Sequence, residues 1–366
     1  MSSSPLFSNF TLKNLTLKNR LAMAPMTRNF SPNGIPHKDA AKYYQRRALG
    51  GIGLVITEGV EISHDSSSGY PNCPNLRTEE ARNEWKKIVQ AVHDAGSKIF
   101  CQLWHVGGIR KQGLPPNPEI PGFTPSGYVN AKKQVAHAMT LDEIHEMIKI
   151  YADDSKICED IGFDGVEIHG AHGYLIDQFF WKDTNKREDQ YGGNLLKRAQ
   201  FACDIVDACQ TTTSRDFIVG IRISQWKQQD YDAKIADNIE NLNEFLLKLA
   251  SSNPDFLHCS TRRYWEPEFT SSSLNLAGIA KEVTKIPTIT VGSVGLNKDF
   301  INLYAGDDEA SFSTIEELEN RLRNKEFDLV AIGRALLSDP NWANKIQANK
   351  ENEIQQFNKS YVENYY

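Results

Sequence analysis

The chain has 366 residues, 40% of them hydrophobic, and its 41 Lys plus Arg against 47 Asp plus Glu give a formal net charge of −6. This mild acidity, without long basic blocks, argues against general binding to nucleic acid or to an anionic membrane. The sequence contains no apolar run of about 18 residues, so we expect no membrane span.

The first residues and the cysteines indicate the compartment. The chain does not open on a basic segment followed by an apolar one, which argues against a secretory signal. The six cysteines are scattered and form no C-x-x-C pair, so neither a zinc site nor an iron–sulfur site is predicted. Several lie in apolar runs, as expected for reduced core residues of a cytoplasmic protein.

The N-terminal part predicts a hairpin and two strand–helix units. Residues 7–17 alternate weakly and break at Lys13 and Asn14, which indicates a β-hairpin that closes one end of a barrel. An apolar strand at 21–24 ends at Pro25, because proline cannot donate to a sheet. A helix at 37–49, a strand at 53–57 and an amphipathic helix at 78–95 follow.

The middle of the chain contains a long irregular segment. A strand at 98–103 leads into residues 107–134, which hold five of the 15 prolines. A loop of this length inside a compact domain is usually functional or disordered, and we expect it to cover the barrel mouth. A helix at 140–161 begins with a capping box between Thr140 and Glu143, and a short buried strand at 166–168 follows.

The second half repeats the same unit. Strands are predicted at 218–224, 256–260, 288–291 and 329–332, and helices at 195–208, 235–249, 276–283, 315–323 and 342–349. Strand and helix alternate about eight times, and the strands are short and apolar, as parallel strands covered on both faces should be. The predicted fold class is α/β: a (β/α)8 TIM barrel with an N-terminal β-hairpin and extended loops over the barrel mouth, in a single domain over residues 1–366.

A cluster of polar residues follows the strand at 166–168. His169, His172 and Tyr174 there supply hydrogen-bond donors and a possible proton source, and barrel active sites lie at the C-terminal ends of strands. A single histidine in such a place is more often a structural group. Three residues of this kind within six positions favour a functional site.

Other strand ends carry candidate binding residues. Glycines after the last two strands, with Arg334, form a predicted phosphate site, although either glycine pair alone is also an ordinary turn. Gln102 has the donor and acceptor that suit the edge of a heterocycle. Arg222 requires an anionic partner, either a cofactor ring or a structural ion pair with Glu58 or Glu167.

The sequence resembles the old yellow enzymes, the FMN-dependent ene-reductases, over essentially its whole length. The motifs are APMTR at 24–28, TEG at 57–59, QLWHVG at 102–107, DGVEIHGAHGYLIDQF at 164–179, REDQYGGNLLKR at 187–198, GIRIS at 220–224, VGSVG at 291–295 and AIGRALLSDPNW at 331–342. The resemblance implies bound FMN and a transient NADPH or NADH hydride donor.

The resemblance also implies residue roles. His169 and His172 would bind the oxygen of a carbonyl or nitro group, and Tyr174 would be the proton donor. Apart from the resemblance, Tyr70 and Trp104 are candidates to line a planar substrate pocket, with aromatic core packing as an equal alternative. The residues implied to bind FMN are Pro25, Met26, Thr27, Gly59, Gln102, Arg222, Gly292, Ser293, Gly333 and Arg334.

The implied activity is NAD(P)H-dependent reduction of activated C=C bonds in unsaturated aldehydes and ketones, maleimides and nitroalkenes. Hydride would pass from flavin N5 to the β-carbon and a proton from Tyr174 to the α-carbon. One alternative is a flavin barrel acting mainly as a quinone or nitro-compound reductase or as a phenolic-ligand-binding protein. A flavin-free aldolase or isomerase and a larger iron–sulfur dienoyl reductase are less favoured. The expected partner is a small electron-poor alkene, and monomer and homo-oligomer both remain open.

Overall fold

The computed structural model describes residues 4–299 and 309–366, and eight parallel strands in them close into a barrel. The strands, in chain order, are β1 Phe10–Leu12, β2 Leu15–Leu17, β3 Leu21–Met23, β4 Leu54–Glu61, β5 Lys98–Trp104, β6 Phe123–Thr124, β7 Tyr128–Asn130, β8 Lys133–Gln134, β9 His137–Ala138, β10 Gly165–His172, β11 Ile218–Lys227, β12 Leu257–Ser260, β13 Thr288–Val291, β14 Glu309–Ala310, β15 Leu329–Ile332 and β16 Phe357–Asn358. Around the barrel they run β3, β4, β5, β10, β11, β12, β13, β15 and back to β3.

Helices follow the barrel strands and cover their outer faces. Their bounds are Ala40–Leu49, Glu79–Asp94, Leu141–Ile161, Leu175–Phe180, Leu195–Arg198, Gln200–Thr212, Ile239–Ala250, Leu276–Thr284, Glu316–Arg323, Ala335–Ser338 and Trp342–Gln347. Thr140 and Glu143 form the predicted capping box. The (β/α)8 barrel predicted from the sequence is confirmed. Within the described residues, no helix is both long and apolar enough to cross a bilayer.

The predicted hairpin is also confirmed, and it fills one end of the barrel. Leu12 and Leu17 of β1 and β2 are fully buried in the same cluster as Leu54, Ile218 and Leu329, which begin or nearly begin barrel strands. The hairpin therefore covers the N-terminal ends of the strands. Function in such barrels belongs to the opposite end.

A second pair of residues fills the barrel interior. Phe100 and Phe256 stack there with ring centroids 5.6 Å apart. A Cβ on Gly220 would collide with the Phe256 ring, so the absence of a side chain at Gly220 makes room for this aromatic pair. All six cysteines are buried and none forms a disulfide, as predicted.

Strands β10 and β11 extend further than predicted. β10 pairs with β11 from Gly165–Ile218 to His172–Lys227, with a register shift between Gly170 and His172. The predicted end of this strand at Ile168 was therefore wrong. His169 and His172 belong to the end of the strand itself, and the irregular pairing there turns the chain toward Tyr174.

The long segment after β5 is built on short strands. β7 and β8 form a small antiparallel pair, and β6 pairs with β9. Arg110 ties the segment to its surroundings by donating to the carbonyls of Ser68 and Ile120. Because it leaves the C-terminal end of β5, the segment lies on the mouth side of the barrel, as expected.

Candidate active site

A cavity of about 350 Å³ opens at the C-terminal ends of the barrel strands. Its lining contains every predicted site residue except Gly59 and Tyr70. The lining residues are Ala24, Pro25, Met26, Thr27, Gln102, Trp104, His169, His172, Tyr174, Arg222, Trp226, Gln228, Ser260, Thr261, Arg262, Val291, Gly292, Ser293, Val294, Leu296, Gly333 and Arg334.

The two remaining residues, Gly59 and Tyr70, lie against Trp104, which lines the cavity. A Cβ on Gly59 would lie 2.5 Å from Cε3 of Trp104, so Gly59 allows the indole to pack against β4. Tyr70 stacks on Trp104 with ring centroids 5.5 Å apart, and its hydroxyl lies 3.3 Å from that of Tyr174. The Tyr70 hydroxyl therefore lies beside the Tyr174 hydroxyl at the edge of the cavity.

Arg222 is the buried cation of the cavity. Its Nη2 donates to Ser260 Oγ at 3.2 Å, and its Nε is buried without a hydrogen-bond partner among the described residues. No carboxylate in the described part of the chain lies within ion-pair distance of its guanidinium, so the predicted alternative of a structural ion pair is absent there. A buried guanidinium whose Nε–H has no partner among the described residues is suited to bind an anionic or hydrogen-bond-accepting group.

Glu167 lies beneath the cavity in a fully buried network. Gln102 Nε2 donates to one carboxylate oxygen at 2.7 Å, and His258 Nδ1 lies 2.6 Å from the other. Burial alone would raise the pKa of Glu167, but His258, Arg222 and Gln102 together hold that pKa below its usual value. Glu167 is therefore a structural carboxylate that orients the Gln102 amide.

The two histidines lie side by side. The ring centroids of His169 and His172 are 5.1 Å apart, and the Tyr174 ring lies 5.0 Å from His169. Burial and the charge of Arg222 lower the pKa of both imidazoles well below its usual value, so both are neutral at neutral pH.

Backbone and side-chain contacts fix how each histidine faces the cavity. His169 Nδ1 accepts the Ala171 N–H at 3.3 Å, so its Nε2 carries the proton and is a donor. His172 adopts a positive φ of 64° and its Nε2 lies 2.8 Å from Ser260 Oγ. Ser260 thereby connects His172 to Arg222, a link that the sequence did not reveal.

Tyr174 is nine-tenths buried, with a neighbour on its oxygen. Gln228 Nε2 donates to the Tyr174 hydroxyl at 2.7 Å. Burial raises the pKa of Tyr174 well above its usual value, so the phenol keeps its proton. No motif in the sequence indicated Gln228, Ser260 or Trp226. Trp226 stacks on His172 at 4.4 Å between ring centroids, and only its aromatic character was visible in the sequence.

The residues predicted to bind phosphate lie together at the far end of the cavity. Gly292 and Ser293 follow β13 with φ values of 149° and 52°, and a Cβ on Gly292 would lie 2.6 Å from Thr261 Oγ1. A Cβ on Gly333 would meet no atom closer than 3.6 Å, so backbone beside Arg334 is open to a ligand. Burial lowers the pKa of Arg334 to about 10, which leaves it charged at neutral pH.

Comparisons with known proteins agree with this geometry. The sequence model described as the NADH:flavin oxidoreductase / NADH oxidase family matches residues 5–353. The chain is 32% identical to 12-oxophytodienoate reductase 2 of Arabidopsis thaliana over 355 residues, 94% of this chain and 89% of that protein. It is 38% identical to putative 12-oxophytodienoate reductase 6 of Oryza sativa subsp. japonica over 251 residues, 67% of this chain but only 63% of that protein.

Solved structures of the same fold also match this chain. The structure of morphinone reductase superposes with a TM-score of 0.80 and 26% sequence identity, covering 99% of this chain and 94% of the other. Another structure of morphinone reductase, in complex with tetrahydroNAD, covers 98% of this chain and 93% of that one, with a TM-score of 0.79 and 27% identity.

Proposed function

The chain belongs to the NADH:flavin oxidoreductase / NADH oxidase family, the old yellow enzymes, and from this premise we propose that it reduces the C=C bond of electron-poor alkenes. It is an NAD(P)H-dependent oxidoreductase with FMN as its cofactor. The observation that carries the substrate class is the joint placement of a protonated Tyr174 and two neutral histidines in the cavity that also contains Arg222.

The residues of this cavity fit FMN. The buried Arg222 Nε lacks a partner among the described residues, as expected if a ring that gains negative charge lies against it. Gln102 faces the same space with its amide oriented by Glu167. At the far end, the open backbone at Gly333 and the Arg334 guanidinium suit a phosphate. We propose that these residues hold the cofactor.

FMN held by these residues would supply the hydride-transfer chemistry between NAD(P)H and the β-carbon of the alkene. In this proposal, side chains of the protein bind the substrate and supply the proton. His169 donates from Nε2 to the substrate's carbonyl or nitro oxygen, where negative charge develops. His172 and Ser260 complete the polar side of the pocket. Because both imidazoles are neutral, they stabilise this oxygen by hydrogen bonds without delivering a full charge.

Tyr174 supplies the second hydrogen as a proton. Its pKa is raised by burial, so the hydroxyl is protonated in the resting enzyme and can donate to the α-carbon. The aromatic rings of Trp104 and Trp226 also line the cavity and suit contact with a conjugated substrate. The relatives support this class, because the name 12-oxophytodienoate itself specifies a keto group and C=C bonds.

A labelling experiment tests the proposal. The FMN-loaded protein turns over 2-cyclohexenone anaerobically in ordinary water with excess NAD(P)H carrying deuterium at the transferred position, so that each transferred deuterium reaches the substrate before it can exchange with water. The same reaction is then run with unlabelled cofactor in heavy water. We expect deuterium at the β-carbon in the first case and at the α-carbon in the second, read by NMR of the product.

The outcomes separate the candidate functions. Rapid quinone reduction with no turnover of cyclohexenone, maleimide or nitroalkene would favour the quinone-reductase alternative. Tight phenol binding without any turnover would favour a binding protein. Solvent deuterium at the β-carbon would overturn the proposed division of hydride and proton.

A further inference from the structure

Three polar side chains meet at the edge of the active-site cavity. Gln228 Nε2 donates to the Tyr174 hydroxyl at 2.7 Å, the Tyr70 hydroxyl lies 3.3 Å from that of Tyr174, and the Tyr70 hydroxyl donates to Gln228 Oε1 at 3.4 Å. These contacts close a ring of hydrogen-bonding groups around one phenol oxygen.

Gln228 occupies an acceptor site on the Tyr174 oxygen. A hydroxyl has one proton and two lone pairs, so a donor on the oxygen leaves the proton to point elsewhere. The amide N–H also remains in place once the phenol has lost its proton, and a hydrogen bond to a charged oxygen is stronger than one to a neutral oxygen. Gln228 is thus suited both to aim the proton and to stabilise the resulting phenolate.

Tyr70 connects this ring to the outside. Tyr174 is only 5% exposed, whereas Tyr70 is partly exposed. The Tyr70 ring is held by stacking on Trp104 at 5.5 Å between centroids. A substrate that covers Tyr174 would block water from it, whereas the hydroxyl of the partly exposed Tyr70 lies 3.3 Å from the Tyr174 oxygen.

From this arrangement we propose that Gln228 positions the Tyr174 proton and that Tyr70 returns a proton to Tyr174 after each turnover. The inference rests on the proposed function. The Tyr174 O–H bond breaks as the C–H bond at the α-carbon forms, leaving a phenolate. The Tyr70 O–H bond then breaks as the Tyr174 O–H bond re-forms, and the Tyr70 oxygen regains its proton from water. No oxidation state changes in these last two steps.

Tyr70→Phe separates the first turnover from later ones. The variant keeps the ring on Trp104 and starts with Tyr174 protonated, so a single turnover of pre-reduced protein with cyclohexenone should slow by no more than a few-fold. Steady-state turnover should slow by roughly tenfold or more, because an unassisted proton transfer becomes limiting. Rapid mixing should therefore reveal a burst of one product per active site that the wild type lacks.

Small acids supply a second measurement that a structural role would not affect. At constant pH, added imidazolium should accelerate the steady state of Tyr70→Phe in proportion to its concentration. The wild type should not respond. Equal slowing of the first and later turnovers, without acceleration by imidazolium, would overturn the role of Tyr70.

Gln228→Leu tests the positioning role. Loss of a hydrogen bond to a charged oxygen should slow enone reduction by roughly 10–100-fold even in the first turnover. We expect the loss in kcat rather than KM, together with a larger solvent deuterium isotope effect as proton transfer becomes limiting. Gln228→Glu, which keeps the size but cannot donate when ionised, should behave alike. Gln210→Leu is the matched control, because its amide donates to the Asn253 carbonyl and contacts neither Tyr174 nor the turn that carries it.

A double-mutant comparison completes the test. In a Tyr174→Phe background, neither Tyr70→Phe nor Gln228→Leu should cause further loss, because both act through the missing phenol. Additional losses there would show that the two residues act on the substrate directly and would overturn the proposal. The proposed function fails separately, since it would fail in the wild type itself if no enone is reduced.

Discussion

Tyr174 differs from an exposed tyrosine in the position of its proton and in the environment of its oxygen. Burial raises the pKa of its phenol well above the usual value, and Gln228 occupies one side of its oxygen. It is therefore an acid that releases its proton only to a strongly basic centre. The carbanion-like α-carbon of an alkene that has accepted hydride is such a centre.

Tyr174→Phe removes this proton and keeps the ring. Flavin reduction by NAD(P)H should remain nearly intact, while enone reduction should slow by roughly 10²–10⁴-fold, the usual contribution of a general acid. Quinone reduction should be largely unchanged, because a quinone needs no proton at carbon. Stopped-flow measurement of the two half-reactions separates these cases. Equal slowing of both would identify Tyr174 as a structural or binding residue instead.

A buried carboxyl gives a pH prediction. Glu61 is 4% exposed with one oxygen unpartnered among the described residues, and burial raises its pKa to about 7 from a model-compound value of 4.5. The folded state thus binds this proton more tightly than the unfolded state. Its contribution is fully present below about pH 4.5 and is lost as pH rises through about 7, which amounts to roughly 3 kcal/mol.

Glu61→Gln should remove that dependence. The variant should lose less unfolding free energy than the wild type between pH 5 and pH 8, as measured by urea denaturation of the same protein at each pH. Glu84→Gln is a suitable control, because Glu84 pairs with Lys87 on the surface. Parallel pH curves for wild type and Glu61→Gln would contradict the assignment.

Motifs in the sequence predicted most of the residues that line the cavity but not the hydrogen bonds that connect them. The residues in recognisable motifs, such as Arg222 and Gly333, do line one space. Ser260 and Gln228 were missed because their relevance depends on hydrogen bonds to His172 and Tyr174 across the barrel. Gln228 lies in a polar segment that, taken alone, is typical of an exposed loop.

A buried ion pair joins the end of β11 to the short helix Leu175–Phe180. Lys227 Nζ lies 2.7 Å from Asp177 Oδ1, and both side chains are fully buried. Asp177 Oδ2 also accepts the Gly173 N–H, next to Tyr174. Burial raises the pKa of Asp177 to about 6 despite the opposing effect of Lys227. The pair therefore fixes the turn that carries Tyr174, the proposed proton donor.

Asp177→Asn should destabilise the protein strongly. It leaves the Lys227 ammonium buried without its counter-charge, which typically costs about 3–5 kcal/mol. The double variant Asp177→Leu with Lys227→Met should recover much of this loss, because it removes both charges. Urea unfolding curves measure both. A double variant less stable than Asp177→Asn would indicate that the pair contributes more than charge compensation.

The same elements mark the limit of prediction from sequence. Hydrophobic patterning located all eight barrel strands and the hairpin, because each is a short apolar run bounded by turn residues. It placed the end of β10 too early, since the strand continues through histidines by pairing with β11. Pairing across the barrel is a tertiary property, and an irregular register leaves no periodic signal along the chain.

If FMN binds at the mouth of the barrel, as we propose, its binding and the stability of the whole protein are coupled. The closed end is packed by the hairpin, whereas the open end retains a buried guanidinium on Arg222 whose Nε is unpartnered in the described residues. A ligand that binds only the folded protein stabilises it, by about 2.7 kcal/mol at a concentration one hundred times its Kd. FMN should therefore raise the unfolding midpoint markedly.

Arg222→Met should reduce this increment while the apoprotein remains folded. Loss of a hydrogen bond to a charged group costs roughly 1.5–3 kcal/mol, so FMN should stabilise the variant by that much less at the same concentration. Lys13→Met is the control, because Lys13 pairs with Asp255 at the closed end, where the lost ion pair affects stability slightly and FMN binding not at all. Thermal unfolding with and without FMN, followed by intrinsic fluorescence, measures each increment. If Arg222 lies against the flavin, its substitution lowers the increase in unfolding midpoint caused by FMN, and the Lys13 substitution does not. A general loss of stability would instead affect apoprotein and holoprotein alike.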